Sequence, residues 1–260
     1  VVACLRAKTP AELLRALPPN ITGLSTPDFG PSLDGVVLPR APAETLRLGL
    51  QQPVPFVVGT NREETSRMLP PPAQIATPQQ YEAAARTFLS QFAWPSTTVD
   101  RVLAAYPASS YTSPHAALVA LTTDARWTCP GRNYLRALAA NPAAAVYRYY
   151  FTHTLDAARA PAASRFGSYH GLELLYVFGT LEIAGYRPAD ADRALSRRIQ
   201  GYWSRFAATG DPNGDGAVRW PRYLVRTDSF LELREPPVEG TGVRTTECDT
   251  LEAALSGAGN

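Results

Sequence analysis

The chain has 260 residues, of which 45% are hydrophobic and 18% are charged, so it can bury a sizeable core as one large domain or two ordinary ones. Its formal net charge is +2 and no block of basic residues occurs, which argues against a nucleic-acid-binding protein. No apolar run reaches about 18 residues, so we expect no membrane span.

Three cysteines, Cys4, Cys129 and Cys248, form no CxxC pair, which argues against a zinc site. The odd number favours one disulfide and one unpaired cysteine, as in an exported protein. A bond between Cys129 and Cys248 would close a loop of about 119 residues. Chain entropy gives a bridge of that span about 4–5 kcal/mol of stability.

Local signals predict four helices and one strand in the first half of the chain. The predicted helices cover residues 10–17, 43–50, 78–92 and 97–106. Thr9 and Glu12 form a capping box for the first helix, and Thr77 is the N-cap of the third. Residues 54–58 are apolar and mostly β-branched, which indicates a strand buried on both faces of a parallel sheet. The polar residues 61–66 follow, where ligand groups collect in such sheets.

The second half alternates between helix and strand signals. The predicted elements are helical residues 114–139, a strand at 144–152, a helix at 188–209 and two terminal strands at 220–225 and 229–233. We expect a break in the first of these near Pro130, and the last helix to end at Gly210. Without repeats or flexible linkers, residues 1–260 are predicted to form one α/β unit.

His170 lies between Gly167 and Gly171, directly before the apolar residues 172–178. Glycines permit a tight bend that holds one side chain at a fixed point, and an apolar run can anchor that bend to a core. This arrangement can present a reactive imidazole. A structural histidine in a turn before a helix fits the same pattern, and for one histidine taken alone it is the favoured interpretation.

Seven segments, taken in chain order, resemble those of the type B carboxylesterases, the family that contains the cholinesterases. They are residues 4–6 with the helix that follows, 29–35, 55–64, 124–130, 147–153, 170–179 and 203–213, the last followed by Trp220-Pro221. Residues 55–64 resemble the motif P-x-x-x-G-x-N-x-D-E, and residues 170–179 resemble H-G-x-E-L-x-Y-V-F-G. Each segment is weak alone, but their shared order and spacing are specific.

The resemblance implies the C-terminal portion of an α/β-hydrolase, with a mostly parallel central sheet flanked by helices. The family uses a Ser-Glu-His triad, in which the acid precedes the histidine. Glu64 falls on the acid and His170 on the base. Glu63, where the family usually has Asp, is interpreted as a structural or solvated carboxylate. Thr65 stands where the family often has Gly, so the turn after the acid can differ in shape.

No G-x-S-x-G motif occurs in the chain, and the family's oxyanion-hole glycines are absent as well. In family order both belong upstream of residue 1, so we expect this chain to be a C-terminal fragment that lacks its N-terminal half and is inactive alone. The resemblance also places the partner of Cys4 upstream and leaves Cys129 and Cys248 as the expected disulfide. It implies no metal and no cofactor, and with the cysteines it implies a secreted or extracytoplasmic protein.

Four further residues have two interpretations each. Phe29 would line the acyl pocket by family position, or belong to the core. Asp211 begins a sequence like a calcium loop, but Arg222 stands at the position of the closing acid, so a turn is favoured. His153 is interpreted as structural. Glu173 would hydrogen-bond backbone groups near the site or simply begin a helix.

The leading hypothesis is hydrolysis of a small carboxylic ester through an acyl-enzyme, with this chain supplying Glu64 and His170. The alternative is a non-catalytic binding or adhesion protein, because such relatives need not keep the triad. The presence of both Glu64 and His170 argues against that alternative, and an upstream Gly or Ala in place of the serine would support it.

Overall fold

A four-stranded sheet, in the order β1-β2-β3-β4, forms the centre of the molecule in the computed structural model. The strands are β1 (Phe56–Asn61), β2 (Val146–Phe151), β3 (Ser229–Leu233) and β4 (Val238–Thr241). The first three run parallel, and β4 returns antiparallel to β3. The structure describes residues 2–16, 32–141 and 143–257. This mostly parallel sheet with flanking helices confirms the predicted α/β class.

Helices surround the sheet. They are α1 (Val2–Arg6), α2 (Pro10–Ala16), α3 (Pro42–Arg47), α4 (Pro78–Leu89), α5 (Ser96–Ala105), α6 (Pro114–Thr123), α7 (Cys129–Ala139), α8 (Pro161–Ser164), α9 (Leu172–Val177), α10 (Asp190–Thr209) and α11 (Thr245–Gly257), with short 3-10 turns at Pro72–Gln74, Ser90–Phe92, Ala108–Ser110 and Ile183–Gly185. None of the described helices combines the length and the apolar character needed to cross a membrane.

The predicted helix ends that depend on local chemistry are confirmed. The Thr77 hydroxyl accepts from the backbone N–H of Gln80, whose side chain accepts from the N–H of Thr77, so α4 begins with a capping box. Thr9 and Glu12 make the same exchange at α2. Helix α10 ends at Gly210, which has a φ of 77°.

Strand β1 begins later, and is less buried, than its sequence predicts. The predicted strand at 54–58 starts instead at Phe56, and Val54 and Phe56 are 49% and 42% exposed. The prediction of burial on both faces was wrong for the start of the strand, whereas Val57 and Val58 are half-buried against two different apolar clusters.

Two glycines in the sheet make room for aromatic rings on the neighbouring strand. A Cβ atom on Gly59 would lie 2.2 Å from the ring of Tyr149, its partner in β2. A Cβ on Gly240 would lie 2.4 Å from the ring of Phe230, its partner in β3. Each glycine is therefore required by the close approach of a cross-strand ring.

The C-terminal segment differs most from its prediction. Residues 220–225 do not form a strand, because only Arg222 makes an isolated bridge, to Tyr147. The true partner of the strand Ser229–Leu233 is Val238–Thr241. The sequence reading also missed α11, which carries Cys248 into the core.

Helical residues 114–139 continue without the predicted break at Pro130. One turn of π-helix, Asp124–Thr128, joins α6 to α7. Pro130 lies in the first turn of α7, directly after this π turn. The irregularity therefore comes earlier, where such turns often mark functional sites.

Two apolar clusters flank the sheet region. Val146 of β2 packs with Leu135 and Leu138 of α7, whereas its neighbour Tyr147 belongs to the cluster that contains Ile199 of α10. Because successive strand residues face opposite sides, α7 and α10 cover opposite faces of the sheet. A third cluster joins α4, α5, α6 and α11 away from the strands.

Candidate active site

Glu64 lies in the turn that directly follows β1. Its side chain is 6% exposed, and its Oε1 accepts a 2.7 Å hydrogen bond from the backbone N–H of Asn61, the last residue of the strand. The strand end therefore fixes the carboxylate. Its second oxygen, Oε2, lies 2.7 Å from Nδ1 of His170, 106 residues later in the chain.

His170 is presented by the predicted glycine bend. Gly167 and Gly171 have φ values of 64° and 81°, which other residues rarely adopt. The His170 side chain is 54% exposed, and within the described residues no hydrogen bond reaches its Nε2. The hydrogen bond to Glu64 raises the pKa of His170 against the opposing effect of partial burial.

Glu63 holds the histidine loop and does not contact the imidazole. Its Oε2 accepts a 2.8 Å bond from the backbone N–H of Ser168, and its own N–H donates to the Ser168 carbonyl. A Cβ at position 167 would lie 2.7 Å from the same oxygen, so Gly167 is required by this contact as well as by its backbone angle. The geometry agrees with the interpretation of Glu63 as a structural carboxylate.

Asn61 connects the acid to the histidine loop. The sequence indicates no role for it beyond its place in the P-x-x-x-G-x-N-x-D-E motif. Its side chain is 1% exposed, and Nδ2 donates to the carbonyl of Tyr169 at 2.9 Å and to the carboxylate of Glu173. Glu173 therefore hydrogen-bonds beside the site as well as beginning α9, and burial raises its pKa. The signals in the sequence are the Asn of the P-x-x-x-G-x-N-x-D-E motif and its place near the carboxyl end of an apolar strand.

Trp127 is the second site residue that the sequence reading missed. Its ring centroid lies 5.8 Å from that of His170, at an interplanar angle of 49°. Trp127 belongs to the π-turn Asp124–Thr128, which the sequence predicts only as helix. The turn therefore places an aromatic ring next to the exposed imidazole.

Thr65, the residue after the acid, is fully buried and makes polar contacts with α6. Its hydroxyl lies 2.7 Å from that of Thr122 and donates to the carbonyl of Val119 at 3.2 Å. Its backbone N–H donates to the hydroxyl of Thr123. The family often has glycine at this position. Here the threonine hydroxyl links the turn that carries Glu64 to α6.

The other candidates from the sequence lie apart from this pair. The ring of His153 bonds Asp192 at 2.7 Å and packs on Tyr176, as a structural histidine does. Asp211 accepts from the backbone N–H of Asn213 in a local turn. Among the described residues no cluster of three potential metal ligands occurs. Phe29 lies outside the described residues.

The Glu64–His170 arrangement has the geometry of a general base. A buried carboxylate fixes Nδ1 as the donor, so Nε2 is the nitrogen left to accept a proton, and it faces an open surface. A carboxylate at Nδ1 also stabilises the imidazolium that forms when a proton is taken up.

Comparison with known proteins gives a consistent match. The model of the carboxylesterase family covers residues 1–251. Among curated proteins the chain is similar to rabbit (Oryctolagus cuniculus) "Cocaine esterase", with 28% identity over 94% of this chain. It is also similar to duck (Anas platyrhynchos) "Fatty acyl-CoA hydrolase precursor, medium chain", at 30% over 90%, and to Bacillus subtilis "Para-nitrobenzyl esterase", at 30% over 79%. The chain spans about half the length of these relatives, 46%, 42% and 39% respectively.

Proposed function

The chain belongs to the carboxylesterase family, and on that premise we propose that it supplies the acid and the base of a Ser-Glu-His triad that hydrolyses carboxylic esters. The observation that carries the proposal is the 2.7 Å bond between buried Glu64 and the exposed imidazole of His170. The family as a whole supports ester hydrolysis. The identity of the triad rests on this pair and on the motifs around it.

In the proposed mechanism His170 accepts the proton of a serine hydroxyl through Nε2 as the serine oxygen attacks the ester carbonyl. The tetrahedral intermediate expels the alcohol, which takes the proton from Nε2, and an acyl-enzyme remains. Water then repeats the sequence, with His170 again accepting and returning the proton, and releases the acid. Glu64 holds the ring and stabilises its charged form in both halves of the reaction.

The nucleophile in this proposal lies outside the 260 residues. No G-x-S-x-G motif occurs among them, and the relatives are about twice as long as the matched region. We therefore propose that the chain is the C-terminal part of an α/β-hydrolase domain, whose N-terminal part carries the serine and the oxyanion hole.

The decisive experiment is fluorophosphonate labelling of the native protein, with the mass of the labelled species as the readout. A labelled species at about twice 28.1 kDa supports a longer serine esterase that contains this chain. A labelled species near 28.1 kDa would place the nucleophile inside these residues and contradict the proposal. No labelling at either mass would favour a non-catalytic binding protein.

His170→Gln in the labelled species tests the base separately. We expect ester hydrolysis to fall by about 10³-fold or more, because removing a triad member leaves only binding and oxyanion stabilisation. His115→Gln is the matched control, since the ring of His115 contacts the backbone carbonyl of Pro70 and not the acid. A loss of less than tenfold in His170→Gln would overturn the assignment.

We also propose an extracytoplasmic location. The support is the Cys129–Cys248 disulfide, since such bonds persist in oxidising compartments. Alkylation of the native protein without reductant should modify neither Cys129 nor Cys248. Modification of both at purification would contradict the proposed location.

A further inference from the structure

A cavity of about 860 Å³ lies beside the candidate active site, but neither Glu64 nor His170 lines it. Its walls come from the residues after β1, the region from Ser110 to Asp124 and the loop from Ser164 to Gly167, together with Tyr150 of β2 and Arg244. This volume is within the range of about 300–1,000 Å³ typical of small-molecule sites.

The residues that line this cavity include four arginines but only two acids. The two acids in its wall are already paired, Glu63 with Arg62 and Asp124 with Arg244. The two remaining arginines, Arg67 and Arg165, form no ion pair within the described part of the chain. The cavity therefore has a surplus of two positive charges.

Both of these arginines lie near the ring of Phe166. The guanidinium carbons of Arg67 and Arg165 lie 5.8 Å and 4.6 Å from the centroid of its ring. That of Arg67 also lies 4.9 Å from the centroid of Tyr169. Stacking on rings restrains the guanidinium groups while their N–H donors stay available, and such groups bind carboxylates through two parallel hydrogen bonds.

The rest of the wall is mostly apolar. Leu69, Pro71 and Val119 line it, together with the ring of Tyr150. A ligand that fits both parts has an anionic head for the arginines and a hydrocarbon chain for this wall. A short or fully polar anion would leave the apolar wall empty, and an uncharged lipid would leave the arginines unpaired.

We propose that this cavity binds an aliphatic monocarboxylate, with the carboxylate held by Arg67 and Arg165 and the chain along the apolar wall. The site is separate from the proposed triad, and the inference does not depend on ester hydrolysis. The free acid is the chemical class that any carboxylic ester releases, so the ligand can come from solution or from the protein's own reaction.

Octanoate binding to the native, full-length protein tests the proposal, measured by calorimetry or by NMR titration. We expect octanoate to bind, and Arg67→Gln/Arg165→Gln to weaken it about tenfold or more, because two charge-assisted contacts are lost. Octanol and acetate should each bind at least tenfold more weakly than octanoate. Arg197→Gln, which removes an exposed arginine at a different cavity, should leave binding unchanged.

His170→Gln separates this site from the candidate active site, because octanoate binding should survive that change. Thermal melts of the variants check the fold, which exposed arginines are not expected to support. Unchanged octanoate affinity in the double arginine variant, or loss of binding in His170→Gln, would overturn the proposal. Loss of esterase labelling with octanoate binding intact would count only against the proposed function.

Discussion

At the scale of single residues, Asn61 links the acid to the loop that carries the base. Its backbone N–H fixes Glu64, while its side-chain amide holds the carbonyl next to His170 and the carboxylate of Glu173. One buried residue therefore sets the position of the acid, through its backbone, and that of the histidine loop, through its side chain. A misplacement of about 1 Å in such a pair can reduce the rate by about 100-fold.

Asn61→Ala is expected to lower kcat by about 10- to 100-fold with little change in KM, because the loop that carries His170 loses its anchor. Steady-state kinetics of the full-length esterase measure this effect. Thr60→Val is the matched control: Thr60 is also buried, but its hydroxyl has no hydrogen-bond partner in the described structure. Equal losses in both variants would show a general effect on the strand and contradict a positioning role.

The pH profile tests the contact between Glu64 and His170. The carboxylate raises the pKa of His170, and a general base acts only when it is neutral, so activity falls as pH drops through this pKa. Glu64→Gln removes the negative charge and should move the acidic limb of kcat/KM to lower pH. It should also reduce kcat by up to about 10⁴-fold. An acidic limb at the same pH in wild type and variant would exclude this partner.

At the scale of elements, α11 is fastened to α7 in two ways. The Cys129–Cys248 disulfide joins them, and the fully buried guanidinium of Arg132 in α7 bonds Asp249 and Glu252 in α11. The disulfide spans 119 residues, so it removes much of the freedom of the unfolded chain.

Replacing both half-cystines, as Cys129→Ala/Cys248→Ala, should lower the free energy of unfolding by about 4 kcal/mol. Urea unfolding of the full-length protein, followed by tryptophan fluorescence, measures the change. The unsubstituted protein, measured in parallel, is the reference, because Cys4 is expected to have its own partner upstream in the longer protein. A difference of less than about 1 kcal/mol between the double variant and this reference would contradict the expected role of the bridge.

The sequence predicts elements well where the signal is local. The capping residues Thr77 and Thr9 and the C-terminal Gly210 mark helix ends through bonds within a few residues, and all three are confirmed. Helix α11 was missed because its apolar residues, such as Leu251 and Ala254, pack on distant helices and give it only weak amphipathic periodicity. The predicted strand at 220–225 failed because β4 occupies the edge that it would need.

The site was only partly predictable, because its contacts join segments that are far apart in the sequence. Glu64 and His170 are 106 residues apart, and motif order alone singled them out; the sequence could not give their 2.7 Å contact. The role of Asn61 depends on a loop that returns to the strand end. The position of Trp127 depends on a π-turn that no local sequence pattern predicts. Both follow from packing between distant segments.

At the scale of the whole molecule, the sheet ends on an open strand. Among the described residues β1 has one neighbouring strand, and the partly exposed Phe56 lies at its start. Unpaired N–H and C=O groups on such an edge are templates for pairing with another chain. We therefore expect the 260 residues expressed alone to self-associate or to remain partly unfolded.

Light scattering and thermal melting of the isolated chain measure this tendency. Phe56→Lys should reduce association, because a lysine on an edge strand disfavours pairing. Phe178→Lys is the control, since Phe178 is 71% exposed but lies outside the sheet. A monodisperse wild-type monomer with a cooperative melt would contradict the prediction, as would an equal effect of the two lysines.

The attachment of α11 also has a genetic consequence. Cys248, Asp249 and Glu252 hold α7 in place and are translated after both Glu64 and His170, and Leu251 packs in the same cluster as Cys248. A premature stop codon just before Cys248 would leave Glu64 and His170 intact. It would nevertheless remove the carboxylates that Arg132 bonds and leave Cys129 as a free thiol. Nonsense alleles that stop translation there should therefore lose function through failed folding rather than through lost chemistry.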